Sequence, residues 1–484
     1  MHPKNSAPAG PAAGLYRFFI PGVYPVNPRD VIDDPKSTAN PAEVSRFFQS
    51  ADWGGFWLAS FLSFLVYQLT LAPDITLEYS GVYSTSAMYP GPSIPPGHAL
   101  WVIYGWLFIK LIPISNLAWR LNLSSAVAGA LTCGMIALLA SRIGRLAVER
   151  ISDLKDFSAK GQKRVQLVCG CVAGLGFGFD GCFWCKAVVV DTWPLSLCLL
   201  AVTICFLTRW FFAPQQKGYL YAAACACGLT LSESQALIPA AFGLPFLLTA
   251  GNRGLGREIF FGISIFLWSL LLFKERQPEI GWSVQGPDEW ILAGAAGLAT
   301  LMWGIQSFRT SSFFSEWKTT AICGILFCAG ISACFLLPIF SMTNPPVNWA
   351  YPRTVQGFFH TLSRGQFESL YPTASFSQFG AQWKIYLQIT ATDLGVFYLL
   401  AAAVPFFCSR TIPLPARRWL FGLLTVWLVM TSLMLGALNL DPLAAVLVKP
   451  YFAASHLILA VFSGCGLMLV ATFSARRAGT ISPG

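Results

Sequence analysis

Two carboxylates four residues apart, Asp74 and Glu78, are the first side chains in this sequence placed to do chemistry. They belong to the stretch 69–101, LTLAPDITLEYSGVYSTSAMYPGPSIPPGHALW, which follows the first long apolar run and contains no Lys or Arg. A carboxylate beside an apolar span costs free energy unless water or a function holds it. Set against an acceptor hydroxyl, it removes the proton as the oxygen attacks. If Pro73 starts a helix, the spacing puts Asp74 and Glu78 on one face. Asp74 also fits a plainer role, an acid satisfying free amides at a helix N-terminus.

The cations that answer such carboxylates lie far along the chain. In MTNPPVNWAYPRTVQGFFHTLSRGQ (342–366), a helix opened by Pro352 sets Arg353, His360 and Arg364 on one face and Val355, Phe358, Phe359 and Leu362 opposite. An interfacial helix with a basic stripe suits a phosphate cradle for a lipid head group or a lipid-linked donor. It equally suits a surface helix drawn to anionic lipid. Asp191 and Lys186 flank a predicted outer helix end, as a structural ion pair or as acceptor-binding groups. Lys449, in Lys449-Pro450-Tyr451, either touches phosphate or marks the end of a span. Glu233 lies between two short apolar segments; it faces a cavity if they form a re-entrant pair and outer water if they cross. The four histidines (His2, His98, His360, His456) are scattered, and the fourteen cysteines lie in or beside apolar runs. Pairs such as Cys182/Cys185 have no matching ligand set, so no cofactor and no divalent metal is expected.

The elements that position these residues follow from composition. The chain is 55% hydrophobic and 11% charged, with a mean hydropathy of +0.58. That excludes a soluble protein and leaves an all-α polytopic membrane protein. The net charge of +10 is no nucleic-acid signature, because most Lys and Arg fall in short connectors between apolar runs, the positive-inside pattern. Residues 1–52 read as a cytoplasmic arm, 53–473 as the transmembrane domain with outer loops 73–116 and 341–391, and 474–484 as a cytoplasmic tail. The polar start argues against a cleavable signal. The connector 141–164 carries seven basic residues and is placed inside, so one crossing must separate it from the outer loop at 73–97. The run 98–113 then lies along or dips into the surface without crossing. Carried to the end, this counting predicts about twelve spans (ten to thirteen) with both termini cytoplasmic.

The run TLAPDITLE…SG…PPG…LW, with NLAWRLNLSSAVAGAL (116–131), FWCKAVVVDTWPLSL (183–197), GLTLSESQAL (228–237), the proline-rich block at 342–366 and PYFAASHLILA (450–460), resembles a bacterial membrane-protein family. That family was long catalogued as a domain of unknown function and stands beside the protein O-mannosyltransferases. The similarity runs in order over roughly residues 50–470. It implies a GT-C-like bundle whose first outer loop supplies a catalytic carboxylate. It further implies inverting transfer of a sugar from a polyprenyl-phosphate carrier at the periplasmic face of the bacterial inner membrane. The family pattern places an Asp, a small residue, Gly and Glu where this chain has Tyr79, Ser80, Gly81 and Val82. Family histidines are replaced by Ile94 and Ser234. Glu78 or Asp74 is then the expected base. Tyr79, Asp191, Glu233, Arg353, His360, Arg364 and Lys449 are the expected binding groups.

The leading expectation is a glycosyltransferase that meets membrane lipid, a polyprenyl-phosphate sugar and an acceptor that is a protein, glycan or lipid. A transporter or flippase would want paired repeats and ionisable residues deep in several spans, and the sequence shows no convincing repeat. A catalytically silent relative that binds lipid-linked sugar is the third reading, kept open by the replaced acids.

Overall fold

The structure is a computed structural model and describes residues 47–149, 159–276, 287–311, 314–363, 371–440 and 448–481. Among the described residues every regular element is helical. Hydrocarbon enforces this, since backbone N–H and C=O groups there must be paired within their own segment.

A central group packs around α4 (Leu117–Val148). It comprises α1 (Ser50–Leu69), α5 (Ala159–Gly178), α7 (Trp193–Phe212) and α18 (Lys449–Ile481). The most apolar stretch of α4 is 89% buried inside the protein, which makes it the hub. Beyond it, α8 (Lys217–Glu233) packs on α7 and on α12 (Trp317–Ile331), while α9 (Ile238–Gly251) packs on α17 (Leu414–Leu438). α10 (Arg253–Arg276) pairs with α11 (Pro287–Thr310), whose apolar stretch is only 17% buried inside the protein. α16 (Val396–Phe407) lies along α18. The remaining elements are α2 (Ser80–Met88), α3 (Ala99–Leu111), α6 (Gly181–Ala187), α13 (Leu336–Met342), α14 (Val355–Leu362) and α15 (Phe376–Leu394).

Among the described residues, seven spans are long and apolar enough to cross a membrane, one of them running Trp317–Met342 through α12 and α13. The number is nine if the bent pairs α5 with α6 (75°) and α15 with α16 (110°) each count as one. The chain is an all-α polytopic membrane protein. The other three of the twelve expected spans are also helices, α1, α8 and α9. With 17 and 14 residues, α8 and α9 extend only about 26 and 21 Å at ~1.5 Å per residue. They do not form a hairpin, because each packs on a different neighbour. The 13 residues of α3 reach about 20 Å, too short to cross, as expected for 98–113. The last helix continues to Ile481, into the segment expected to be a tail. Residues 1–46 of the expected arm lie outside the described residues.

Candidate functional site

After α1 the chain runs without helix until Ser80. Side-chain amides from α4 hold it open. Asn122 Nδ2 donates to the carbonyls of Ala72 (2.6 Å) and Asp74 (3.3 Å), and Asn116 Nδ2 to that of Pro73 (3.0 Å). Carbonyls engaged this way do not feed a helical ladder, so the helix expected from Pro73 does not form. Asp74 and Glu78 therefore share no helical face. Asp74 accepts the amide of Ile75 at 2.7 Å, an acid serving a neighbouring N–H outside any helix.

Glu78 has φ of 63°, a left-handed backbone uncommon outside Gly and of the kind that concentrates at functional sites. It precedes Tyr79, the N-cap of α2. Its Oε2 lies 2.8 Å from Lys186 Nζ on α6, and the same Nζ is 3.2 Å from Asp191 Oδ2. The ion pair expected between Asp191 and Lys186 is present, with Glu78 as a third member. Asp191 is fixed from two sides. Its Oδ1 accepts the amide of Trp193 at the start of α7 (2.9 Å), and its own amide donates to Ser125 Oγ on α4 (3.2 Å).

These three residues line a cavity of ≈ 950 Å³ together with Tyr79, Tyr83, His98, Asp393 and Lys449. Lys449 begins α18 and pairs with Asp393 at 2.9 Å, so it both marks a helix end and faces the cavity. The other oxygen, Asp393 Oδ2, is buried without a partner among the described residues. Trp193 and Tyr451 meet edge to face at 5.3 Å and also line the wall. Burial, and after it the nearby Asp191 charge, pushes the Tyr83 phenol well above its ordinary range, so it stays a neutral hydroxyl.

The turn after α8 forms part of the wall through Ser234, Gln235 and Ala236. Glu233 itself is fully buried. Its Oε1 is 3.1 Å from His98 Nδ1, and its Oε2 accepts the Trp101 amide in the first turn of α3 at 3.1 Å.

The basic stripe expected over 353–364 is not present as a helical face. α14 starts only at Val355, because Thr354 caps it by accepting the Gly357 amide (3.0 Å) and Ala350 and Tyr351 have positive φ. Arg353 thus precedes the helix, where it donates to Asn344 and stacks over Tyr351. His360 is in the last turn of α14, and neither residue is among those lining the cavity. Arg364 lies outside the described residues. α14 touches the site only indirectly, through Gln235 Nε2 donating to the Leu362 carbonyl at 2.7 Å.

Sequence reasoning missed His98 and Asp393. Their partners are 135 and 56 residues away, and no local spacing signals a pairing over such distances. Only the antiparallel helix order brings them together.

Fold and site together define a multi-pass membrane protein with a carboxylate- and ammonium-lined cavity at one end of its helices. Residues 80–252 match the family model described as the protein O-mannosyl-transferase TMEM260 N-terminal domain. The protein O-mannosyl-transferase tmem260 of Dictyostelium discoideum is 24% identical over 202 residues, which cover 38% of this chain and 22% of that protein. The chain thus aligns with about a fifth of the length of this curated relative, and it is related to protein O-mannosyltransferases. The matched stretch contains His98, Lys186, Asp191 and Glu233, but ends before Asp393 and Lys449. No solved structure matches.

Proposed function

We propose that this protein is an integral-membrane glycosyltransferase that moves a sugar from a polyprenyl-phosphate donor to an acceptor hydroxyl inside the cavity. The observation that carries this reading is the convergence of Glu78, Lys186, Asp191 and Lys449 on one cavity. A relation to protein O-mannosyltransferases over residues 80–252 supports it.

In this reading the acceptor oxygen attacks the anomeric carbon, and the bond from that carbon to the phosphate oxygen breaks. The electron pair leaves with the polyprenyl phosphate, and a single displacement inverts the anomeric centre. Glu78 takes the acceptor proton. Lys186 and Lys449 meet the charge growing on the phosphate, the role first expected of Arg353, His360 and Arg364. Lys186 links the two events. While it holds Glu78, the carboxylate is a weaker base. A phosphate that draws the ammonium away frees the carboxylate as the donor arrives. The acceptor is a protein, a glycan or a lipid, and the active site is placed on the periplasmic side of a bacterial inner membrane.

The test is incubation of the purified protein with a panel of radiolabelled polyprenyl-phosphate sugars and membrane extract. Label transferred from one donor to an acceptor supports the reading. Donor binding with no turnover across the panel supports a silent lipid-sugar-binding relative instead, which the engagement of Glu78 by Lys186 (2.8 Å) would then explain.

A further inference from the structure

We propose that His98 is an anion-binding residue of the cavity and that its imidazolium, with Glu233 as counter-ion, holds the phosphate group of the lipid-linked donor. This rests on the donor reading above and adds to it a residue whose charge depends on pH.

Glu233 is fully buried, and both of its oxygens are used, one by His98 Nδ1 and one by the Trp101 amide. A buried carboxylate without a cation is strongly destabilising. Its position at the C-terminal end of α8 adds the unfavourable end of that helix dipole. His98 is the cation-forming group in contact with it. The ring is itself held in place. His98 is 8% exposed, has φ of 47° and follows Gly97 at φ of 97°. A Cβ at Gly97 would meet the Leu337 side chain. Tyr83 packs edge-on against the imidazole at 5.8 Å.

With Nδ1 committed to Glu233, Nε2 makes no hydrogen bond among the described residues, while the residue lines the cavity. In the protonated ring Nε2–H is a charged donor facing that space. In the neutral ring Nδ1–H stays on Glu233, and Nε2 becomes an acceptor that a phosphate oxygen avoids. The groups in contact with the ring are Glu233 from α8 and Tyr83 from α2. Across the cavity stand the triad Lys186, Asp191 and Glu78 and the pair Lys449 and Asp393. Anion binding through Nε2–H therefore weakens as the ring gives up its proton.

The experiment measures binding of the methyl phosphodiester of a polyprenol, whose single charge is fixed over this range, to the full-length protein in nanodiscs from pH 5.5 to 8.5. The wild type is expected to bind at least about tenfold more weakly at the upper end, in line with loss of one charge-assisted hydrogen bond. His98→Asn, chosen because Asn tolerates the left-handed backbone, is expected to bind weakly and without pH dependence. Glu233→Gln, which keeps an acceptor for the Trp101 amide, is expected to weaken binding already at pH 5.5. A wild-type affinity that does not change with pH overturns the assignment, as does the same pH dependence in His98→Asn. A wild type that binds the probe at no pH overturns the donor reading itself, so the two failures are told apart.

Discussion

At the scale of single residues, the proposed chemistry turns on Lys186. Its ammonium is held between Glu78 at 2.8 Å and Asp191 at 3.2 Å, with a side chain only 15% exposed. Asp191 is fixed by α4 and α7, whereas the Glu78 side chain is 69% exposed and free to turn toward a bound acceptor. Lys186→Ala should raise the donor KM about 10- to 100-fold, the effect of losing one charge-assisted hydrogen bond. Lys186→Arg should restore part of it, both read from transfer kinetics. The pairing of Lys186 with Asp191 was legible in the sequence because the two lie five residues apart at a helix end. That of Lys186 with Glu78 was not, because 108 residues separate them. Arg353 was misplaced for a different reason. Helical periodicity locates residues on a face only after the helix start is known, and Thr354 sets that start at Val355, two residues too late to include it.

At the scale of elements, the position of Glu233 depends on how closely α8 approaches α12. Gly228 and Gly330 face each other across that contact. A Cβ on Gly228 would meet the Phe327 carbonyl, and one on Gly330 the Cys225 carbonyl. Small residues at helix crossings in membranes allow this backbone approach. Gly228→Leu should destabilise the protein by about 1–3 kcal/mol through overpacking, seen as a lower thermal midpoint in detergent. A second prediction concerns the open segment 70–79. Asn122→Leu removes the donor to the Ala72 and Asp74 carbonyls. It should lower transfer more than it lowers expression, measured as activity per folded protein. The apolar helices were legible, since hydropathy reports transfer into hydrocarbon directly and each of the twelve expected segments lies on a helix, nine of them at most long and apolar enough to cross. The unwound first loop was not, because Asn116 and Asn122, which hold it, act from a helix some forty to fifty residues away.

At the scale of the whole molecule, the antiparallel order of the central helices gathers the loop after α1, the helices α2 and α6, the starts of α7 and α18 and the turn after α8 around one cavity. Basic connectors such as Arg209 to Lys217 lie at the other end of the same helices, the end that the proposed reading assigns to the cytoplasm. Cysteines introduced at Tyr79 and Tyr451 in a cysteine-depleted background should react with an impermeant maleimide added to intact spheroplasts. One introduced at Gln216 should react only after lysis.

In the proposed reaction the Glu78 carboxylate in this cavity drives sugar transfer from a lipid-phosphate donor. Its most direct test compares wild type and Glu78→Gln at equal reconstituted amounts, with a donor found active for the wild type, in single-turnover transfer and in donor binding. Glu78→Gln is expected to bind the donor yet transfer at least about 100-fold more slowly, the lower end of what a general base contributes. Transfer by Glu78→Gln at the wild-type rate would contradict it.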